Sequence, residues 1–536
     1  MSESTSSLKK GIQKGNTTSL TKTPIVRIGL KEKRDSLEFR TRGSFSIINN
    51  EGVAILKNMI TPEKWRIKVE RQYRAKYAYN ILINKFDAYD RAEELTYRLI
   101  EKGIGAQITT IGDEFWYEKK VVNDNSQYRV IVDNFETEQE ARSFADMNLN
   151  NYQTSIIKQK IKEPGALLEV YDFDFEKVTE AENLIRLVPG SDDVITNLYE
   201  FQNEQNGQHK TDKFRSFQGA LEFRCDDDGR LLIINETPLE KYVESVITSA
   251  VPGNLPLDSL KALATTVRSK SIAGLGIQHY NDPFDFCDRD HCSAFYGVKN
   301  KSGNITKAVQ ETLGEVIVKD QNIYDADFNM ICGGISEARH TTDLANPYKD
   351  VTSFFDSTND NLYEKFGELD DNKNIRKWID AEPDVHCNMS GINGSNHFQK
   401  YFRWETTFSR KELEDIISEK EARLIGILYD IIPVKRNKAG KLIEMEIIAS
   451  NVNLILSGQR NIREYLAPQM LNSACFYILK EYDDEGLPYA FIFRGAGRGH
   501  GIGLCLAGSV SMAHNGVNYK TILNHYFKET KVRKIY

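Results

Sequence analysis

Cys287, His291 and Cys292 form C-x-x-x-H-C, a cluster of soft and borderline donors. Thiolate and imidazole suit zinc, which usually takes four ligands, so a water would complete the set. The bland alternative is two packed free cysteines beside a surface histidine. Cys332 and Cys387 can equally pair or pack. A second stretch, Gly497-Arg498-Gly499-His500-Gly501-Ile502-Gly503, sets one guanidinium and one imidazole among glycines. Glycine lets a backbone take φ > 0 and approach a ligand or another strand closely. No acidic residue follows at the distance of a dinucleotide fingerprint, and no βαβ unit surrounds the stretch. It is either a ligand-binding floor with Arg498 and His500 as donors, or a tight turn with a structural histidine.

Such residues need a rigid mount, and Pro238–Ile272 reads as one. Leu239, Val243, Val246 and Ile247, then Leu257, Leu260, Leu263, Ala264 and Val267, recur at helical spacing. Pro252, Gly253 and Pro256 break the pattern into two amphipathic helices with an elbow. Asp258 can cap the second. The residue presented at the elbow is Ala250. Arg268, on the second helix, is either a cleft residue or an internal ion-pair partner.

The 536 residues exceed one core, so several domains are expected. A net charge of -7 argues against a nucleic-acid footprint. No apolar run reaches the ~18 residues that span a bilayer. Residues 1–22 read as a disordered tail without the apolar core of a signal peptide. Residues 23–60 alternate as a small β module. Within 70–155, two strand–turn–helix units repeat. Ile81 matches Val130, Ile83 matches Val132, Phe86 matches Phe135 and Ala92 matches Ala141. Residues 160–215 read as a polar connector, and 216–536 as the main domain. The expected class is α+β, a mixed helix/sheet domain preceded by the small α+β repeat module.

PLEKYVESVITSAVPGNLPLDSLKALATTVRSKS resembles the SpoIID/LytB domain family, peptidoglycan lytic transglycosylases and their relatives. CDRDHCSAFYG, ICGGISEARH with NPYKDV, GRGHGIGLCLAGSVSMAHNG and YKTILNHYFKET resemble further family blocks in the same order. The resemblance implies a SpoIID-type domain with a cleft. It implies one glutamic acid, in the sequence E-M-P, acting as general acid and then base. The muramic acid's own 6-hydroxyl then closes an anhydro sugar. Here that place reads Ala250-Val251-Pro252, and losing a general acid typically costs ~10²–10⁴ in rate. Glu244 lies about 240° round the helix from Ala250. Glu236, Glu240 and Asp258 are no better placed. A family glutamine becomes Leu506, and a family tryptophan is missing from 341–346.

The implied cleft residues are Arg268, Tyr348, Arg498, Gly499, His500, Gly501, Gly503 and Leu506. The implied metal ligands are Cys287, His291 and Cys292, with Zn2+ as the ion. The repeat over 77–150 is similar to the SPOR domain, which binds glycan strands stripped of their peptides. A ferredoxin-like domain with no ligand is the alternative. The expectation is therefore a glycan-strand binding protein of the cell envelope, catalytically impaired at Ala250. Its partners would be peptidoglycan strands and a cell-wall amidase. The competing readings are an active transglycosylase cleaving the MurNAc–GlcNAc bond, and a scaffold without ligand.

Overall fold

The computed structural model describes residues 16–19, 24–31, 34–117, 120–205, 208–289, 292–298, 302–337, 353–358, 361–392 and 396–536. Strand alternation builds the first half. In Ser36–Arg42, Leu37 and Phe39 are buried while Glu38 and Arg40 are not, the period of two expected of a half-buried strand. Such strands make two packed sheets. One runs Lys177–Glu182, Gly165–Tyr171, Trp65–Tyr73, Ser36–Arg42, Ile195–Gln205, Gln208–Gln218. The other runs Phe286–Cys287, Ile25–Lys31, Leu231–Pro238, Ala220–Cys225, Ile185–Pro189, Phe45–Asn49, Ala54–Met59. Their inner faces meet through Phe39, whose ring lies 6.2 Å from that of Phe45 and 5.9 Å from that of Phe223. Trp65 meets Phe45 edge-on at 5.7 Å.

This sandwich departs from the sequence reading in two places. Residues 23–60 are not a module of their own, because their strands are divided between both sheets. Residues 160–215 are not a connector, because Gly165–Tyr171 through Gln208–Gln218 are integral strands.

The repeat folds as two strand–helix units. Lys76–Phe86 leads to α1 (Tyr89–Glu101), and Gln127–Phe135 leads to α2 (Glu138–Asn148). The antiparallel sheet order is Ser155–Lys162, Lys76–Phe86, Gln127–Phe135, Ala106–Ile111, a split βαβ arrangement. Ile81, Ile83, Val130 and Val132 meet Ala92, Leu95, Leu99 and Ala141 in one small core. Thr137 and Glu140 close a capping box on α2. The opposite sheet face is covered. Ile131 is 1% exposed, and the Arg129 guanidinium lies 4.2 Å over the Tyr280 ring. Asn281 Nδ2 donates to Lys158 O at 2.9 Å.

Beyond the sandwich come α3 (Leu239–Ala250), α4 (Leu257–Gly274) and α5 (Gly303–Glu311). The chain passes out at Glu337 and returns near Ile502, where those two residues form a parallel bridge, while Phe355, Leu362, Trp378 and Phe402 from the segment between still pack into the main core. Phe328–Asn329 pairs in parallel with Leu504–Cys505, and Glu315–Lys319 pairs with Lys531–Lys534. Residues 338–503 are thus inserted into the main domain. They carry a second core around Trp404, Leu413, Met445, Phe476 and Phe493.

Candidate functional site

The mount forms as its apolar spacing dictates. Leu239, Tyr242, Val243, Val246 and Ile247 bury one face of α3. Ala250 closes the helix, half-buried against the main core. Helix α4 is buried on nearly every side. Arg268 is 0% exposed, so it is not a cleft residue. Its Nε and Nη2 donate to the two Glu240 oxygens at 2.8 and 2.7 Å, and Nη1 donates to Glu315 O at 2.9 Å. A guanidinium with all its partners inside the protein has nothing left for a substrate. Asp258 does not cap α4 either. Its carboxylate accepts from Tyr519 N at 3.0 Å, at the start of the helix Tyr519–Tyr526.

Cys287 and Cys292 lie together, and among the described residues the histidine beside them is His279. The two sulfurs are 3.6 Å apart, and His279 Nε2 is 3.3 Å from Cys292 Sγ. A tetrahedral zinc with the usual bond lengths has S···S and S···N edges of ~3.8 and ~3.5 Å, so the group could hold a metal ion. His279 Nδ1 meets Asp282 Oδ2 at 2.7 Å, the outer carboxylate that orients a ligating imidazole. The Cys292 sulfur and His279 hold the Cys287 thiol far below its ordinary value, while Cys287 pushes Cys292 up. Cys287 is positioned by the short strand Phe286–Cys287, which pairs with Ile28 and Gly29. A side chain at Gly29 would lie 2.7 Å from the Phe284 ring. His291 lies outside the described residues, as does Tyr348. His279 is eight residues before Cys287, beyond the compact motif that drew attention to the cysteines.

The glycine stretch is bound by its surroundings. Gly503 has φ +74, and a Cβ there would lie 2.1 Å from Asp327 O. Gly503→Ala is therefore expected to lower stability by about 1–3 kcal/mol, read as a fall in melting temperature. At Gly501 (φ +76) a Cβ would lie 2.0 Å from Lys441 Nζ. That ammonium donates to His500 O and pairs with Glu337 Oε2 at 2.8 Å, with both side chains almost wholly buried. Asn437 Nδ2 donates to Glu337 Oε1 at 2.6 Å, and Gln459 joins it there. Arg498 lies 4.4 Å over the Tyr401 ring, and Gly499 adopts φ +106. His500 is exposed, with Nδ1 accepting from Ile502 N at 3.1 Å. Leu506 is 3% exposed within the helix Leu506–His514, so it is a core residue and not part of a cleft wall.

These groups do not converge on Ala250. The Arg268–Glu240 pair sets α3 and α4 antiparallel, with Ala250 at the elbow. Lys270, thirteen residues beyond Leu257, lies ~20 Å further along α4. There it pairs with Asp327, and its charge acts on both Cys292 and His500. The metal-type group and the glycine stretch thus flank the far end of α4.

A groove of about 430 Å³, counting its open mouth, runs along α3 instead; Gln218, Asn235, Lys241, Glu244, Thr248 and Phe295 contribute to its lining. At ~100° per residue, Lys241 and Glu244 point ~180° and ~120° away from Ala250. Glu244 accepts from Thr306 Oγ1 and from Lys241 Nζ, the latter at 3.3 Å. Nothing in the linear spacing marked this groove, because the sandwich strands and residues 295–298 supply half of it.

Residues 227–318 match the family model of a stage II sporulation protein, SpoIID. Residues 342–503, almost the whole insertion, match a domain of unknown function, DUF8618. An uncharacterized protein of Brachyspira hyodysenteriae (strain ATCC 49526 / WA1) is 24% identical over 311 residues, covering 58% of this chain and 70% of that protein. The SpoIID match spans the mount, the His279–Cys287–Cys292 group and α5. It supports a cell-wall related function and association with the cell envelope. No described helix is long and apolar enough to cross a membrane.

Proposed function

We propose that this chain binds peptidoglycan glycan strands and is impaired as a lytic transglycosylase. The observation that carries the reading is a methyl group at the elbow of a SpoIID-type mount. Ala250 has no proton to give to a leaving oxygen. The α3 groove supports retained binding. It offers amide, hydroxyl, carboxylate and ammonium groups that can hydrogen-bond a sugar's hydroxyls. His279, Cys287 and Cys292 would hold Zn2+ as a structural ion, with Asp282 behind the imidazole. A cell-wall amidase is a second partner of this reading. The SPOR-like module would add glycan affinity through its helices and edges, since its other sheet face is occupied.

Glu244 favours one competing reading, an active enzyme with a displaced acid, because it sits in the groove. Both its oxygens already accept from neighbours, which suits a substrate-orienting role better. The test uses purified protein and denuded glycan strands. Retention on the strands without release of anhydro-muropeptides is expected. Release by the wild type would overturn the impaired reading, and loss of retention would overturn binding. Glu244→Gln is expected to weaken retention about tenfold or more, the worth of one hydrogen bond to a charged group. Cys292→Ser should lose one bound zinc per chain by elemental analysis.

A further inference from the structure

The strongest unassigned feature lies where the insertion joins the main domain. Cys332, Asp356, Cys387 and Cys505 come together there, all buried, with their ligand atoms within 4.8 Å of one another. They arrive from three separate stretches of chain. Cys332 precedes the insertion, Asp356 and Cys387 belong to it, and Cys505 follows it. We propose that these four residues form a second metal site, tetrahedral Cys3Asp, which takes a thiophilic divalent cation of the zinc class and clasps the insertion to the main domain.

The distances fit such an ion. Cys332 Sγ is 3.6 Å from Cys387 Sγ and 3.3 Å from Asp356 Oδ2. Zinc bound at ~2.3 Å to sulfur and ~2.0 Å to oxygen gives tetrahedral edges of ~3.8 and ~3.5 Å. The outer contacts fit as well. Asp356 keeps Oδ2 toward the sulfurs, while Oδ1 accepts from Tyr526 OH at 2.8 Å and meets His525 Nε2 at 3.0 Å. That divides the carboxylate into a ligand oxygen and an anchored oxygen, as ligating carboxylates are held. Cys505 Sγ accepts from Cys332 N at 3.3 Å and from Gly508 N at 3.4 Å, contacts that favour a thiolate. Gly508 is bare for this cluster. A Cβ there would lie 2.0 Å from Tyr526 OH and 2.8 Å from Asp356 Oδ2. Nearby, His386 Nε2 is buried with no hydrogen-bond partner among the described residues. Its ring centroid lies 5.0 Å from that of His525.

A Cys332–Cys387 disulfide would use the same sulfurs but would leave Cys505 and Asp356 Oδ2 facing no ion. Packed thiols would give Asp356 Oδ2 one weak S–H donor, from Cys332 at 3.3 Å, whereas one ion would engage the carboxylate and all three sulfurs together. The proposal is independent of the glycan reading, since it concerns how two parts of the chain are joined.

The test counts metal in full-length protein expressed with zinc and cleared of loosely bound ions. The double variant Cys287→Ser/Cys292→Ser removes the first group and leaves the second. One equivalent of zinc per chain is expected in it, falling to none when Cys387→Ser is added. Zero equivalents in the folded double variant overturns the proposal. Should these variants fail to fold, anomalous scattering at the zinc edge from wild-type crystals locates the ion directly. A peak among Cys332, Cys387 and Cys505 is expected. A Cys332–Cys387 disulfide, or no peak there, overturns the proposal.

Discussion

Arg268→Met is expected to destabilise the main domain by about 3–5 kcal/mol, the loss seen when one partner of a buried ion pair is removed. The guanidinium is wholly buried and grips both Glu240 oxygens, while Tyr536 OH donates to Oε1 at 2.6 Å. Methionine keeps much of the volume, so the effect isolates the charge. Glu240 would stay largely buried with a tyrosine hydroxyl as its remaining strong donor. Adding Glu240→Leu should restore most of the loss, because the uncompensated charge is then gone. Guanidinium unfolding followed on the transition of the main domain measures both. A single-variant loss below about 1 kcal/mol would mean that water reaches Glu240 and the pair is a surface one.

Lys441→Met should be as severe, and its damage should spread differently. Lys441 lies in the insertion, Glu337 at its root, and His500 in the glycine stretch. The one ammonium serves the carboxylate and the His500 carbonyl together. Among the described residues, its removal leaves Glu337 the neutral donors Asn437 and Gln459. The expected loss is again about 3–5 kcal/mol. Here hydrogen exchange should quicken over 497–503 and around Glu337 before the sandwich responds. Equal quickening throughout the chain would show that Lys441 acts on the whole fold and not on this junction. Lys441→Met with Glu337→Gln should recover stability while the His500 carbonyl stays unserved.

Local periodicity made the mount and the repeat legible. Val243, Val246, Ile247, Leu260 and Val267 are buried where helical spacing puts them. The repeat's matched positions share one core, because each unit buries its own strand under its own helix. Long-range pairing was not legible. Residues 195–218 look polar, yet their two strands bond each other, Phe39 to Arg42 bonds the first of them, and Val298 N donates to Ser216 O of the second at 2.6 Å. Arg268 could not be assigned from sequence because its partner Glu240 lies 28 positions away on another helix. Leu506 stood beside the glycine stretch in sequence but turns into the core as a helix begins. His279 was hidden for a related reason. Its φ of +54 belongs to a turn that bends the chain back over Phe284 and brings the imidazole to the cysteines.

The insertion fixes an order of events during synthesis. The strand Glu315–Lys319 emerges early, yet its partner Lys531–Lys534 and the Tyr536 hydroxyl on Glu240 come after residues 338–503. At ~5–20 residues per second, the ribosome needs roughly 10–30 s to translate that interval. Throughout it, α4 must wait for the helices Leu506–His514 and Tyr519–Tyr526 that cover it. The nascent main domain therefore presents an unfinished apolar flank while the later part of the insertion, from Trp404 on, folds around its own core. A chaperone engaging the nascent chain should bind when translation is arrested between residues 340 and 500, and release once residues 506–536 have emerged.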